Sequence, residues 1–138
     1  MSDPAITIRF DGNGRAYQPG ETLAGGYRFE SIDPSEIKAI EVSVLWLSEG
    51  KGDEDLAVHE FHRYNGDTGE PLDAARPRRF STVLPQSPLS YEGVIVKLHW
   101  CVRIRVFLHS GREVVGQRTF QLGNVPATKV RPFVEEMA

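Results

Sequence analysis

Only one cysteine, Cys101, occurs in the 138 residues, so no disulfide can form within the chain and a hydrophobic core must supply the stability. No Asn-x-Ser/Thr sequon is present. No apolar run approaches the roughly 20 residues of a membrane span, so no membrane insertion is expected. The N-terminal stretch MSDPAITIRF lacks a basic segment followed by a long apolar one, the pattern of a secretory leader. These absences make cytoplasmic localisation the expectation. There is no large excess of basic charge: the net charge is −3, which argues against general nucleic-acid binding. Hydrophobic residues make up 40% and charged residues 25%, as in an ordinary globular domain. The length suits one domain spanning 1–138, with a core of about residues 6–123 and a C-terminal tail at 124–138.

Helical periodicity is also scarce, and alternation takes its place. From Val94 to Leu108 every even residue is apolar (Val94, Val96, Leu98, Trp100, Val102, Ile104, Val106, Leu108), while the odd positions include Lys97, His99, Arg103 and Arg105. A two-residue period puts these sets on opposite faces of one long strand. Shorter strands are predicted at Ile6–Phe10, Thr22–Glu30, Lys38–Ser48, Leu56–Tyr64, Arg78–Leu84 and Glu113–Leu122, bounded by Gly, Pro, Asn and Asp. The apolar parity slips between Val58 and Phe61, as a β-bulge would make it. Asn65–Arg76 reads as a long loop. Pro34–Ile37 could make one helical turn, and Arg131–Met137 a short terminal helix. Such a chain folds as an all-β, antiparallel β-sandwich of about 7–8 strands.

Register sharpens the last hairpin. A two-residue Ser110-Gly111 loop would pair Leu108 with Glu113 and turn Gln117, Thr119 and Gln121 toward the core. A three-residue His109-Ser110-Gly111 loop pairs Val106 with Val114, Trp100 with Phe120 and Leu98 with Leu122, and buries the apolar set. The second is predicted, with Gly111 left-handed. It leaves Arg118 facing inward opposite Val102, to be met by a carboxylate or to reach out at the sandwich edge.

Catalytic patterns are missing. His59 and His62 are three apart on a strand, which should send them to opposite faces, and there is no His-Glu-x-x-His. His99 and His109 share parity but would lie about 33 Å apart along a straight strand. The segment Asp11-Gly12-Asn13-Gly14-Arg15 begins like a calcium loop, yet Arg15 and Thr22 stand where acidic ligands should. Gly50-Lys51-Gly52-Asp53 lacks phosphate-loop spacing, and no Gly-x-Ser-x-Gly elbow occurs. Cys101 alternates outward between His99 and Arg103, where nearby cations could activate a thiol, although a lone strand cysteine usually fills space. No catalytic residue, metal or cofactor is therefore assigned. The candidate binding feature is the outward basic stripe Lys97, Arg103 and Arg105, flanked by His99 and Phe107, which could receive an anionic segment.

Two segments resemble a known family. Tyr17-x-Pro19-Gly20-Glu21-x-Leu23-x-Gly25 is similar to a motif near the start of arrestin-like N-terminal domains. Leu84-Pro85, then Leu89-Ser90-Tyr91-Glu92-Gly93 and Val96–Val102, resembles a second passage of that domain in the same order. The resemblance implies an immunoglobulin-like sandwich, as in arrestins, α-arrestins and a retromer subunit. It also implies a non-catalytic adaptor that binds protein partners through sheet faces and edges. Family members usually carry two such domains, and this length holds one. The partner is not specified, and a homodimer through sheet edges is left open. The alternative is a small-ligand or carbohydrate-binding sandwich, which would need Trp46 or Trp100 exposed as a stacking platform.

Overall fold

The computed structural model describes residues 3–12, 16–50, 52–65, 78–93 and 96–123. The expectations for Val94, for the loop around 66–76, for the terminal helix and for the tail at 124–138 lie outside the described residues.

Among the described residues nine strands form two sheets. They are β1 (Ala5–Phe10), β2 (Ala16–Tyr17), β3 (Thr22–Glu30), β4 (Ile37–Gly50), β5 (Asp53–Asn65), β6 (Arg78–Val83), β7 (Tyr91–Glu92), β8 (Val96–Leu108) and β9 (Glu113–Leu122). The small sheet has the order β1-β3-β6. The large sheet runs β2-β9-β8-β4-β5, with β7 paired to β8. All pairings are antiparallel except β2 with β9, which is parallel. The seven expected strands are present, and β2 and β7 are additional two-residue pairings too short for a periodic signal. One 3-10 turn, Pro34–Glu36, precedes β4, with the Asp33 carboxylate accepting from the Ser35 N–H at 3.0 Å.

The turn at Gln18–Glu21 closes through Glu21 N–H donating to Gln18 O at 3.0 Å, with Gly20 at φ +88°. That left-handed position excludes most side chains and accounts for the glycine. The β8–β9 hairpin adopts the three-residue register: Val106 faces Val114 and Trp100 faces Phe120, with Gly111 at φ +96°. The ladder ends at Trp100–Phe120. Leu98 does not pair with Leu122, because β7 occupies that flank of β8 and Tyr91 faces Leu98.

The even residues of β4 and β8 point into the sandwich. Ile40, Val42, Val44, Trp100, Val102, Ile104 and Val106 are buried against Ile8, Phe10, Leu23 and Tyr27 of the small sheet. An aromatic cluster joins the layers: Phe10 meets Tyr17, Phe80 and Phe120 edge-on at 6.4, 6.3 and 6.0 Å. Trp100, buried to 1% exposure, satisfies its indole N–H on Pro88 O at 2.7 Å. Both long edges of the sandwich are fastened. On one side β1 lies against β9, where a Cβ at Gly116 would stand 2.7 Å from Ile6 Cβ. Arg118 does face inward opposite Val102. It takes no carboxylate but reaches the edge, donating to Ile8 O at 2.9 Å with its guanidinium 5.0 Å over Phe10. On the other side, side chains of β5 clasp β6. Thr82 donates to Glu60, His59 Nε2 lies 2.9 Å from Val83 O, and Arg78 sits 5.0 Å over Tyr64.

Candidate functional site

The expected β5 bulge is real. Val44 pairs with Glu60 and Leu45 with Val58, leaving His59 as the extra residue. It changes which residues share a face. Leu56, Val58 and Phe61 now all lie on the outer side, opposite Leu47, Leu45 and Ser43. Each of the three is about half exposed, at 49, 50 and 50%. This apolar row lies on the terminal strand of the large sheet.

The same bulge corrects the expectation for the histidines. His59 turns inward, its ring edge-on to Trp100 at 5.9 Å, and His62 also lies on the inner side, opposite Val42. Both are engaged singly. The His59 Nε2 contact with Val83 O requires a proton on that nitrogen. His62 Nε2 lies 2.7 Å from Glu60. The Thr82 hydroxyl, and then His62, hold the Glu60 carboxyl below its ordinary range. Among the described residues no group of three or more His, Cys, Asp or Glu is placed to hold a metal.

The outer face beside the apolar row carries the odd residues of β8. Arg103 and Arg105 are neighbours there, opposite Ser43 and Glu41. Lys97 lies at the far end of the strand, roughly 20 Å from Arg103 at about 3.3 Å per residue. The stripe is therefore a pair plus a distant lysine, and it is not bare positive charge. Lys97 meets Glu92 at 3.4 Å, and Arg103 donates to Gln117 at 2.9 Å. Arg105 is held by Glu113, which raises its pKa, and lies 3.9 Å from Glu41, which also holds Arg63. Arg63 and Arg105 each lie over the Phe107 ring, at 5.3 and 5.2 Å. The result is a mixed-charge lattice bordering an apolar row.

Cys101 shares this face, but it is wholly covered and its thiol is pushed up to about 11. Burial outweighs the opposing pull of Arg103. A concavity of about 400 Å³ opens where β7 and β9 part on the flank of β8, lined among others by Ser90, Glu92, His99 and Thr119. The Ser90 hydroxyl there accepts from Leu122 N–H, so it serves the fold.

No family model and no curated protein sequence matches the chain. Among solved structures it is similar to Spo0M, a sporulation control protein from Bacillus subtilis. The TM-score is 0.63 with 13% identity, over 90% of this chain and 51% of that one. The chain thus spans about half the length of Spo0M. It is also similar to a superoxide reductase (neelaredoxin) from Ignicoccus hospitalis, with TM-score 0.51 and 10% identity over 86% of this chain and 80% of that one. Identities this low carry the fold alone. The likeness to Spo0M supports an arrestin-like β-sandwich at the level of fold. One neighbour is named for a regulatory role and the other for an enzymatic one, so shared fold does not decide between them. No helix among the described residues is long and apolar enough to cross a membrane.

Proposed function

We propose that residues 1–138 form one arrestin-like domain that acts in the cytoplasm as a non-catalytic protein-interaction module, an adaptor or scaffold. The observation that carries this reading is the row Leu56, Val58 and Phe61, half exposed on one face of an edge strand. Apolar area of this kind beside ordered arginines has the composition of an interface centre and rim. Arg103 and Arg105 border the row and give a partner's carboxylates a defined position; Lys97 extends the charged face at its far end. A partner, or a second copy, could also add a strand to β5, the terminal strand of the large sheet. The carbohydrate alternative has little support, since Trp100 is buried and Trp46 packs against the core.

The test is affinity capture from native cytosol with wild type, Val58→Ser/Phe61→Ser, Arg103→Glu/Arg105→Glu and, as a control on the outer face of the other sheet, Arg28→Glu. Folding is verified first by circular dichroism. A partner kept by wild type and the control but lost by both face variants supports the reading. Equal recovery with all four proteins refutes this face as the contact, and no partner with wild type counts against an adaptor.

A further inference from the structure

The outer face of the small sheet leaves two of its arginines without partners among the described residues. Arg9 on β1, Gly26 on β3 and Arg79 on β6 lie side by side across the three strands. Arg28 stands two residues along β3 on the same face, opposite Thr7. Three arginines therefore flank a position that has no side chain. Thr7, Arg9, Asp11, Gly26, Arg28 and Arg79 line a concavity of about 350 Å³, within the roughly 300–1,000 Å³ typical of small-molecule sites.

Gly26 makes this floor. A Cβ there would stand 3.1 Å from Arg78 O and 3.6 Å from Arg79 Nη1. Arg79 lies across the glycine and reaches Asp11, donating from Nη1 at 3.0 Å and from Nη2 to the second carboxylate oxygen. The site thus already displays fork-to-fork recognition of a planar oxyanion. Arg9 and Arg28 have no hydrogen-bond or ion-pair partner among the described residues, whereas Arg63, Lys97, Arg103 and Arg105 of the other sheet are all engaged. Glu30, the next acid along this face, is occupied by the Thr7 hydroxyl at 2.8 Å. Counting Arg9, Arg28 and Arg79 against Asp11 and Glu30 leaves one net positive charge here, in a chain whose overall charge is −3. Like charges gathered on one face oppose folding, and no carboxylate among the described residues pairs with Arg9 or Arg28.

We infer that this concavity binds a small organic oxyanion, a carboxylate or phosphate ester, whose anionic head is gripped by Arg9 and Arg28 over Gly26 and whose body fills the remaining space. The inference stands apart from the adaptor reading, since it concerns the opposite face and different residues. A ligand there would join β1 to β3, the strands that carry Phe10 and Tyr27 into the core, and would raise the stability of the sandwich by mass action.

The test is calorimetric titration at fixed ionic strength with phenyl phosphate, phthalate and inorganic phosphate. The proteins are wild type, Arg9→Gln/Arg28→Gln, Asp11→Asn and Arg112→Gln, each verified as folded. The expected result is saturable binding of phenyl phosphate or phthalate with Kd below about 1 mM, an affinity of roughly 4 kcal/mol. Whichever probe binds identifies the head group. The double variant should lose about tenfold or more, as for removal of a charge-assisted pair. Arg112→Gln should be unchanged, and Asp11→Asn, which frees Arg79, should bind more tightly. No saturation by either organic probe overturns the inference, as does equal affinity in the double variant. Binding of inorganic phosphate alone leaves a bare anion site and overturns the organic ligand.

Discussion

Replacing Trp100 with phenylalanine tests the central claim about how the two layers are joined. The indole is 1% exposed, lies 5.9 Å from both Phe120 and His59, and donates its N–H to Pro88 O at 2.7 Å. It therefore packs the core and also anchors the segment between β6 and β7. Full truncation of such a residue costs about 3–5 kcal/mol, and a phenyl ring that keeps over half the volume should lose about 1.5 of that. Leaving the Pro88 carbonyl without its donor adds roughly 1 kcal/mol. The sum is about 2.5 kcal/mol, which for a domain of this size lowers the melting temperature by about 8 °C. Trp46, only partly buried and packed against the core's margin, provides the comparison: Trp46→Phe should cost under about 1 kcal/mol. The assay is equilibrium urea unfolding followed by far-UV circular dichroism, which does not depend on the removed fluorophore. A loss below about 1 kcal/mol for Trp100→Phe, or a larger loss for Trp46→Phe, would refute the reasoning.

Two further outcomes follow from buried or paired titratable groups. Cys101 is fully covered and its thiol is pushed up to about 11. It should resist a thiol-disulfide reagent at pH 8 in the native state and react once urea unfolds the chain; rapid labelling of the folded protein would contradict the burial. The Glu60 carboxyl is held below its ordinary 4.5 by Thr82 and His62. Its contribution is therefore fully present above pH 4.5 and is lost as pH falls through the lower folded value. With the side chain 33% exposed, that contribution is about 1 kcal/mol. Glu60→Gln should narrow the stability difference from wild type as pH drops from 5 to 3, and a constant difference across that range would rule the clasp out as its source.

Much of the architecture was legible because a sheet imposes a period of two on every residue it contains. The alternation along β8 identified its buried face, and counting inward positions selected the three-residue hairpin that aligns Trp100 with Phe120. The parity slip in β5 located the bulge. The two-residue strands β2 and β7 were not legible, because two residues carry no period. β7 alone displaced the expected Leu98–Leu122 pairing. The bulge was visible in the sequence, but its consequence was not. Only the pairing partner on β4 shows that Val58 and Phe61 end on one face while His59 and His62 turn to the other.

The division between sequence and structure has a simple physical origin. Composition and alternation determined that this chain buries one side of each long strand and forms a sandwich, because burial acts on each residue by its own hydrophobicity and its parity along the strand. Which charges meet depends on which strands become neighbours, and that is a property of the closed topology. Pairing of β8 with β9 and β4 gave Arg105 two carboxylates and turned an apparent basic stripe into a mixed-charge lattice. Alignment of β1, β3 and β6 placed Arg9, Arg28 and Arg79 around Gly26, although positions 9 and 79 are remote in the chain. Coulomb energies fall with distance in space, so the electrostatic character of each face was decided only when the strands were laid side by side.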